Sequence, residues 1–336
     1  MNDIIGKKQR DWVTSMKGQK YMLQDPTLAE YTSCSERVVT PIYPQDASLI
    51  VSLLDLHPST PDTEDRTKEE RLEIFEAGTG HGSLTLHLAR AIHGANTHAP
   101  NIPSSATTSE DEEGDAYGVW RANRRALISS IDASAAHSSH AQMVVRNFRR
   151  GMYYPHVDFH VGEIVDFLSS RLASNKDEPF LTHAILDLPD PSLYLEILSK
   201  ALNPFGKLVT FSPSVTQTLN SFQAVKEQRL PLILEKVLEV GAGFGSGGRE
   251  WDLRSVLPKS RQQNVKQIER HSTNVSGDTM LNDEETETSQ TNSESEPDVE
   301  PWQDTSQEDL ETVCRPKPGV RIEGGGFIGL WRRMHF

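Results

Sequence analysis

Glu76, Gly78, Gly80, His81, Gly82 and Ser83 fall in one short stretch, Leu72-Glu73-Ile74-Phe75-Glu76-Ala77-Gly78-Thr79-Gly80-His81-Gly82-Ser83, whose spacing suits the binding of a small polar molecule. An apolar run leads to an acid, three alternating glycines follow, and Leu84 to Ile92 then keep helical spacing. The pattern predicts strand, tight turn and helix. Glycines let the backbone approach a ligand closely, and the first N–H groups of a helix attract polar or anionic groups. The third glycine comes one residue too early for the dinucleotide pattern G-x-G-x-x-G, and Glu76 at the strand end suits a cationic amino group better than a pyrophosphate. The competing reading is a glycine turn that only packs helix on strand.

Three more acids close expected strands. The run from Arg125 ends on Asp132, the run from Val157 passes into Gly162-Glu163, and the run from Leu181 ends on Asp187 before Leu188-Pro189-Asp190-Pro191. Open α/β sheets bind ligands outside the carboxyl ends of their strands. The series Glu76, Asp132, Glu163, Asp187 therefore predicts one shared crevice. Asp132 is placed either to bond ribose hydroxyls or to cap the next helix, and Glu163 to meet the adenine side of a nucleoside cofactor.

The elements that must carry these acids follow from periodicity. Tyr21 to Pro26 reads as extended, and Thr27 with Glu30 three residues on opens a short helix. After Pro44, Ile50, Leu53, Leu54 and Leu56 keep helical spacing until His57-Pro58, and 59–71 is a polar linker. Helices are expected over 83–93, 135–150, 194–202 and 216–227, and strands over 72–76, 125–132, 157–163, 181–187 and 207–211. Asn203-Pro204-Phe205-Gly206 reads as a turn, 232–240 as helix or strand, 241–248 as a flexible glycine turn rather than a second cofactor loop, and 249–254 as extended. The apolar run after Gly326 predicts a last strand that completes the sheet.

Two acidic stretches dilute this body. Residues 95–118 hold five acids and 271–314 hold thirteen, with no Lys or Arg in either. Without them the formal charge of −14 becomes +4, a mildly basic body compatible with an anionic substrate such as nucleic acid. The expected organisation is a short N-terminal segment over 1–45, a catalytic domain over 46–258 plus 320–336, and disordered acidic insertions over 95–118 and 259–319. Cys34 and Cys314 stand alone, so neither a disulfide framework nor a Cys-based metal site is expected, and no metal is assigned. No run approaches the roughly 18 apolar residues of a membrane span. The N-terminal twenty residues lack the apolar core of a secretion signal and make a poor mitochondrial presequence, which implies an intracellular location.

With these residues in view, the chain resembles the catalytic subunit of the eukaryotic tRNA (adenine-N1)-methyltransferase family, relatives of the bacterial and archaeal tRNA m1A methyltransferase. The resembling pieces are Tyr21-Met22-Leu23 with Pro26-Thr27 and Glu30-Tyr31, Ile42-Tyr43-Pro44-Gln45-Asp46, Glu76 to Ser83, Asp187 to Pro191, Thr210-Phe211-Ser212-Pro213 and Gly326-Phe327-Ile328. The resemblance implies a Rossmann-like class I S-adenosylmethionine-dependent methyltransferase fold, a mostly parallel seven-stranded sheet with helices on both faces. It implies S-adenosylmethionine as cofactor, tRNA as substrate and N1 of the T-loop adenine at position 58 as methyl acceptor. By position, Glu76, Gly78, Gly80 and Ser83 would hold the methionine moiety, with His81 and Gly82 in the same loop, Asp132 the ribose and Glu163 the adenine. Asp187 would stand in the target pocket against the flipped base. A non-catalytic paralogous partner or a homo-oligomer is implied, in the nucleus or alternatively the mitochondrion, with no membrane association. His81 occupies a position more often small, and the segment before Tyr43 is shorter than the family's N-terminal domain. The rival readings are a scaffold subunit that has lost turnover, and an S-adenosylmethionine enzyme acting on a protein or small molecule. For phosphate contact, Arg146, Arg149, Arg150, Arg249, Arg254, Arg332 and Arg333 are the basic candidates.

Overall fold

The computed structural model describes residues 4–59, 71–100, 112–241, 249–256, 311–316 and 326–335. Apolar strand segments alternate with amphipathic helices, and each strand must bury two faces, so the chain builds a sheet with helices on both sides. After a two-stranded hairpin, β1 (Trp12–Thr14) and β2 (Lys20–Met22), come α1 (Leu28–Cys34) and α2 (Pro44–Leu54). The main sheet uses β3 (Leu72–Ala77), β4 (Ala126–Asp132), β5 (Val157–Val161), β6 (Leu181–Asp187), β7 (Leu202–Ser212), β8 (Leu232–Val240) and β11 (Gly326–Arg333). Their spatial order is β5-β4-β3-β6-β7-β11-β8. Neighbours from β5 to β7 are parallel, and β11 runs antiparallel between β7 and β8. These seven of the sheet's nine strands form the mostly parallel arrangement expected. The uncertain segment 232–240 is strand, and the last apolar run does close the sheet.

Pleating sends neighbouring side chains to opposite faces. Ile74, Ile128, Ile185, Val209 and Ile328 pack with α2, α3 (Ser83–Ile92) and α5 (Ala135–Asn147). Phe75, Ala184, Leu186, Leu208 and Trp331 pack with α6 (Ile164–Ser174), α7 (Leu195–Ala201) and α8 (Val215–Glu227). The N-terminal segment shares the first of these cores: Leu28 and Ile42 are buried in it, and the Tyr31 hydroxyl donates to the Val144 carbonyl at 2.9 Å. Thr27 and Glu30 form the expected capping box.

Three expectations change. Residues 112–118, expected in an unstructured insertion, begin α4 (Glu112–Ala122), whose Trp120 donates to Thr97 and whose Arg121 pairs with Asp158. Those aromatic and basic anchors outweigh the local acidity. The expected turn at Asn203–Gly206 is instead a bulge inside β7, where pairing steps from Leu181↔Leu202 to His183↔Lys207 and Phe205 takes φ +65°. The helix after Ser134 stops at Asn147 and the chain continues as a 3-10 turn, because Arg149 and Arg150 adopt positive φ. The stretch before Pro26 is extended as expected, its start lying in β2 of the β1–β2 hairpin.

The compact unit is Met1–Trp251 with Pro316–Phe336. In it, the start of β9 (Arg249–Val256) pairs with β8 at Leu238↔Glu250, and Trp251 donates to Glu239 at 3.1 Å. A second unit, Asp252–Arg315, is described only at the end of β9 and in β10 (Glu311–Pro316), which are neighbouring strands. The expected glycine turn at 242–248 and most of both acidic insertions lie outside the described residues. Among the described residues, no helix is long and apolar enough to cross a membrane.

Candidate active site

A cavity of about 640 Å³ opens at the carboxyl ends of β3, β4, β5 and β6, within the roughly 300–1,000 Å³ common for small-molecule pockets. Gly78, Gly80, His81, Ser83, Asp132, Glu163 and Asp187 line it. Three of the four strand-end acids thus share one space, as their order in the chain predicts.

The β3–α3 turn is shaped by packing as much as by access. Gly78 has φ +90°, and a Cβ there would come 2.0 Å from the Asp187 carbonyl oxygen. A Cβ on Gly82, φ +82°, would lie 3.1 Å from Ala141 on α5. Two of the three glycines therefore admit other parts of the chain rather than a ligand, and Gly82 does not line the cavity. Only Gly80, φ +50°, leaves its open side free of backbone from other elements.

Glu76 departs from expectation too. It is sealed beneath the turn and does not line the cavity. Its Oε2 accepts from Thr85 and Ser130, each at 2.7 Å, and Thr79 lies 2.7 Å from Ser130. Burial raises its pKa to about 7 against the lowering effect of these hydroxyls, and Asp187 and Asp132 add to the rise. The carboxylate is a keystone of the turn, because β3 points it under the helix start rather than outward.

Asp132 accepts from the Gly80 N–H at 3.0 Å and the Ser134 N–H at 2.8 Å, with His137 Nδ1 at 3.5 Å. It therefore fixes the turn to the start of α5 while retaining acceptor capacity toward the cavity. The helix cap itself is Ser134, whose side chain accepts from the His137 N–H, and Asp132 braces that cap from the Ser134 N–H. Glu163 is the N-cap residue of α6, with no side-chain capping bond. Asp187 lies beside Leu188, Pro189 and Tyr194. Burial, then the neighbouring Asp132, raises its pKa to about 7.

Ser83 Oγ donates to the Ile42 carbonyl at 2.8 Å, so its proton is committed inside the fold. His81 is buried with Nε2 3.2 Å from Ser35 Oγ. Burial lowers its pKa, as does the adjacent His140, while a hydrogen bond with the Glu36 backbone opposes this. Residues not singled out by sequence reasoning complete the walls: Val39 to Pro41, Ser134, His137 and Tyr194. The pairing of Val39–Pro41 with the glycine turn has no local sequence signal beyond adjacency to the Tyr43-Pro44 segment. The basic candidates divide. Arg149 is held by Asp25 and Pro26, Arg332 by Glu235, Arg333 by the Ser199 carbonyl and Arg254 by Asp252.

No protein-family model matches the chain. Among curated proteins it is similar to tRNA (adenine(58)-N(1))-methyltransferase TrmI of Thermus thermophilus, 31% identical over 248 residues that make up 74% of this chain and 74% of the relative. The chain belongs to the tRNA (adenine(58)-N(1))-methyltransferase TrmI family. The archaeal tRNA (adenine(57)-N(1)/adenine(58)-N(1))-methyltransferase TrmI of Methanocaldococcus jannaschii is 23% identical over 215 residues, 64% of this chain and 66% of the relative. Among solved structures, a SAM-dependent O-methyltransferase from Thermotoga maritima matches with TM-score 0.52 and 15% identity over 100% of this chain and 82% of that one, which establishes the shared fold. The cavity at the strand ends of this TrmI-family chain lies where such α/β sheets bind their ligands.

Proposed function

We infer that the chain is an S-adenosylmethionine-dependent enzyme that methylates N1 of the adenine at position 58 of tRNA. The observation that carries this is the meeting of Asp132, Glu163 and Asp187 around the glycine turn in a chain of the TrmI family. The donor set fits the cofactor. Carboxylates gathered at the strand ends suit a cation carrying a sulfonium and an ammonium, the start of α3 lacks a side-chain cap, and the cavity has the size of a nucleoside ligand's pocket.

When bound, S-adenosylmethionine supplies an electrophilic methyl group. Asp132 would hold the ribose hydroxyls with the acceptor capacity left by Gly80 and Ser134, Glu163 the adenine, and the turn at Gly78–Ser83 the amino-acid end. Asp187, with Leu188, Pro189 and Tyr194 beside it, would accept from the exocyclic amine of a flipped adenine and turn N1 toward the methyl group. N1 already carries a lone pair, so the work is mostly alignment. Glu76 supports this indirectly by fixing the turn.

Within the family, the segments around Tyr21, Tyr43-Pro44 and Gly326-Phe327-Ile328 support placement with the eukaryotic catalytic subunits, working with a non-catalytic paralogous subunit or as a homo-oligomer. The nucleus is the compartment proposed, with the mitochondrion as the alternative. Binding of S-adenosylhomocysteine, then transfer of labelled methyl to unmodified tRNA with Asp187→Ala as control, tests the reading. Binding and transfer by the wild type, with transfer lost in the variant, are expected. Binding without transfer, with or without a partner subunit, would favour a scaffold, and transfer to another acceptor would favour a different substrate. No binding at all refutes the cofactor assignment.

A further inference from the structure

The chain leaves the carboxyl end of β6 along the cavity wall at Asp187, Leu188 and Pro189, and returns to that wall at Tyr194. Between these points it is held stiffly. Prolines at 189 and 191 fix their own φ, Pro191 is buried, and Pro191–Tyr194 form a single 3-10 turn. Asp190 opens that turn at φ +52°, a left-handed conformation that disfavours a residue with a Cβ. Internal bonds lock it: the Ser192 hydroxyl donates to the Asp190 carboxylate, the Leu193 N–H to the Asp190 carbonyl at 3.4 Å, and the Leu195 N–H to the Ser192 carbonyl. Backbone held in such a conformation by its surroundings is common at ligand clamps. What this loop presents is Leu193, 68% exposed, one residue before Tyr194 on the cavity wall and two before the fully buried Leu195. Other exposed apolar residues near the mouth lie elsewhere: Val161 ends β5, three strands from β6, and Val38 and Tyr43 flank the wall at Val39–Ile42. Leu193 belongs to the loop that carries Asp187. A branched apolar side chain kept in water contributes little to the fold and much to a partner that buries it.

We propose that Leu193 is a wedge: it enters the substrate RNA at the place the target adenine leaves, and so holds that base extruded beside Asp187. Taking a base out of its stack costs unstacking energy, and an apolar side chain that fills the gap offsets part of it. Rigidity serves this role. A wedge on a loose loop would lose conformational freedom on insertion, whereas the locked turn at Asp190 has set its position in advance. Leu193 then acts on the RNA and not on the cofactor. The assignment rests on the adenine-methylating reading above and adds to it the device that stabilises the extruded base.

2-Aminopurine placed at position 58 of an otherwise unmodified tRNA changes its emission when it leaves the stack. Saturating protein with S-adenosylhomocysteine, and any partner subunit it needs, then reads extrusion directly. Leu193→Ala is expected to keep less than about half of the wild-type emission change and to lower kcat/KM for unmodified tRNA about tenfold. Leu193→Met, which keeps the reach of the side chain, should restore both. Affinity for S-adenosylhomocysteine should stay within about twofold in each variant, as should the fold, since the side chain is exposed; calorimetric titration and thermal melts check these. A full emission change with Leu193→Ala, or failure of Leu193→Met to restore extrusion, overturns the wedge. So does a wild type that methylates unmodified tRNA without changing the probe's emission. A wild type that methylates no tRNA would instead overturn the reading on which the wedge rests.

Discussion

Gly78→Ala is a demanding test of how the turn and β6 are coupled. The added Cβ would stand 2.0 Å from the Asp187 carbonyl oxygen and 2.9 Å from its carbonyl carbon, with the backbone at φ +90°. Neither obstacle is a flexible side-chain tip, so β3 and β6 must separate where they are paired at Ala77↔Leu186. Holding a non-glycine residue at such a φ costs about 1–2 kcal/mol, and forcing an extra carbon into a packed site costs about 1–3 kcal/mol more. A loss of about 3–5 kcal/mol follows, a large share of the roughly 5–15 kcal/mol that holds a domain together. Urea unfolding gives the number. Gly118→Ala is the matched control: Gly118 is in α4 with open space around its Cβ direction, and the change should stabilise by about 0.5–1 kcal/mol. Because Asp187 is the residue displaced, Gly78→Ala should also weaken S-adenosylhomocysteine binding. A loss below about 1 kcal/mol with unchanged ligand affinity would refute the coupling.

Two further outcomes follow from buried charge. Asp187 is raised to about 7 by burial and by Asp132, so the folded state holds its proton more tightly than the unfolded chain does, and stability falls as pH rises from the ordinary carboxylate range through about 7. Asp187→Asn should therefore stabilise the ligand-free protein by roughly 1–3 kcal/mol at pH 8, with little gain at pH 4, while abolishing methyl transfer; thermal melts across that range check it. Arg124 is buried and donates to the Arg121 and Pro155 carbonyls and to Asp158 at 2.7 Å. Burial alone would raise Asp158, but bonding to Arg124 and the charges of Arg124 and Arg121 leave it lowered. Asp158→Ala strands the Arg124 charge and should cost about 3–5 kcal/mol in urea unfolding, with S-adenosylhomocysteine affinity unchanged.

The strand, turn and helix around Glu76 were legible because their signals are local: apolar run, alternating glycines, then helical spacing. The convergence of Asp132, Glu163 and Asp187 was legible because a parallel sheet puts successive strand ends on one edge. What each group does there was less so. Glu76 points under α3, and Gly78 and Gly82 yield space to β6 and α5, because elements remote in sequence arrive at the turn; no spacing rule within 76–83 contains them. His81 looked odd for its size in a glycine turn, and its contact with Ser35 depends on the path of the N-terminal segment across the cavity. The α4 helix was hidden by acidic composition, since Trp120 and Arg121 find their partners only at Thr97 and Asp158.

The central claim is the identity of the methylated atom. An unmodified tRNA transcript incubated with the protein, any partner subunit it needs and S-adenosylmethionine, then digested and read by position-resolved mass spectrometry, reports it directly. The expected product is 1-methyladenosine at position 58, absent when that adenine is replaced or when Asp187→Ala is used. Methylation at another position or on another atom of the base, or transfer that survives Asp187→Ala, would contradict it.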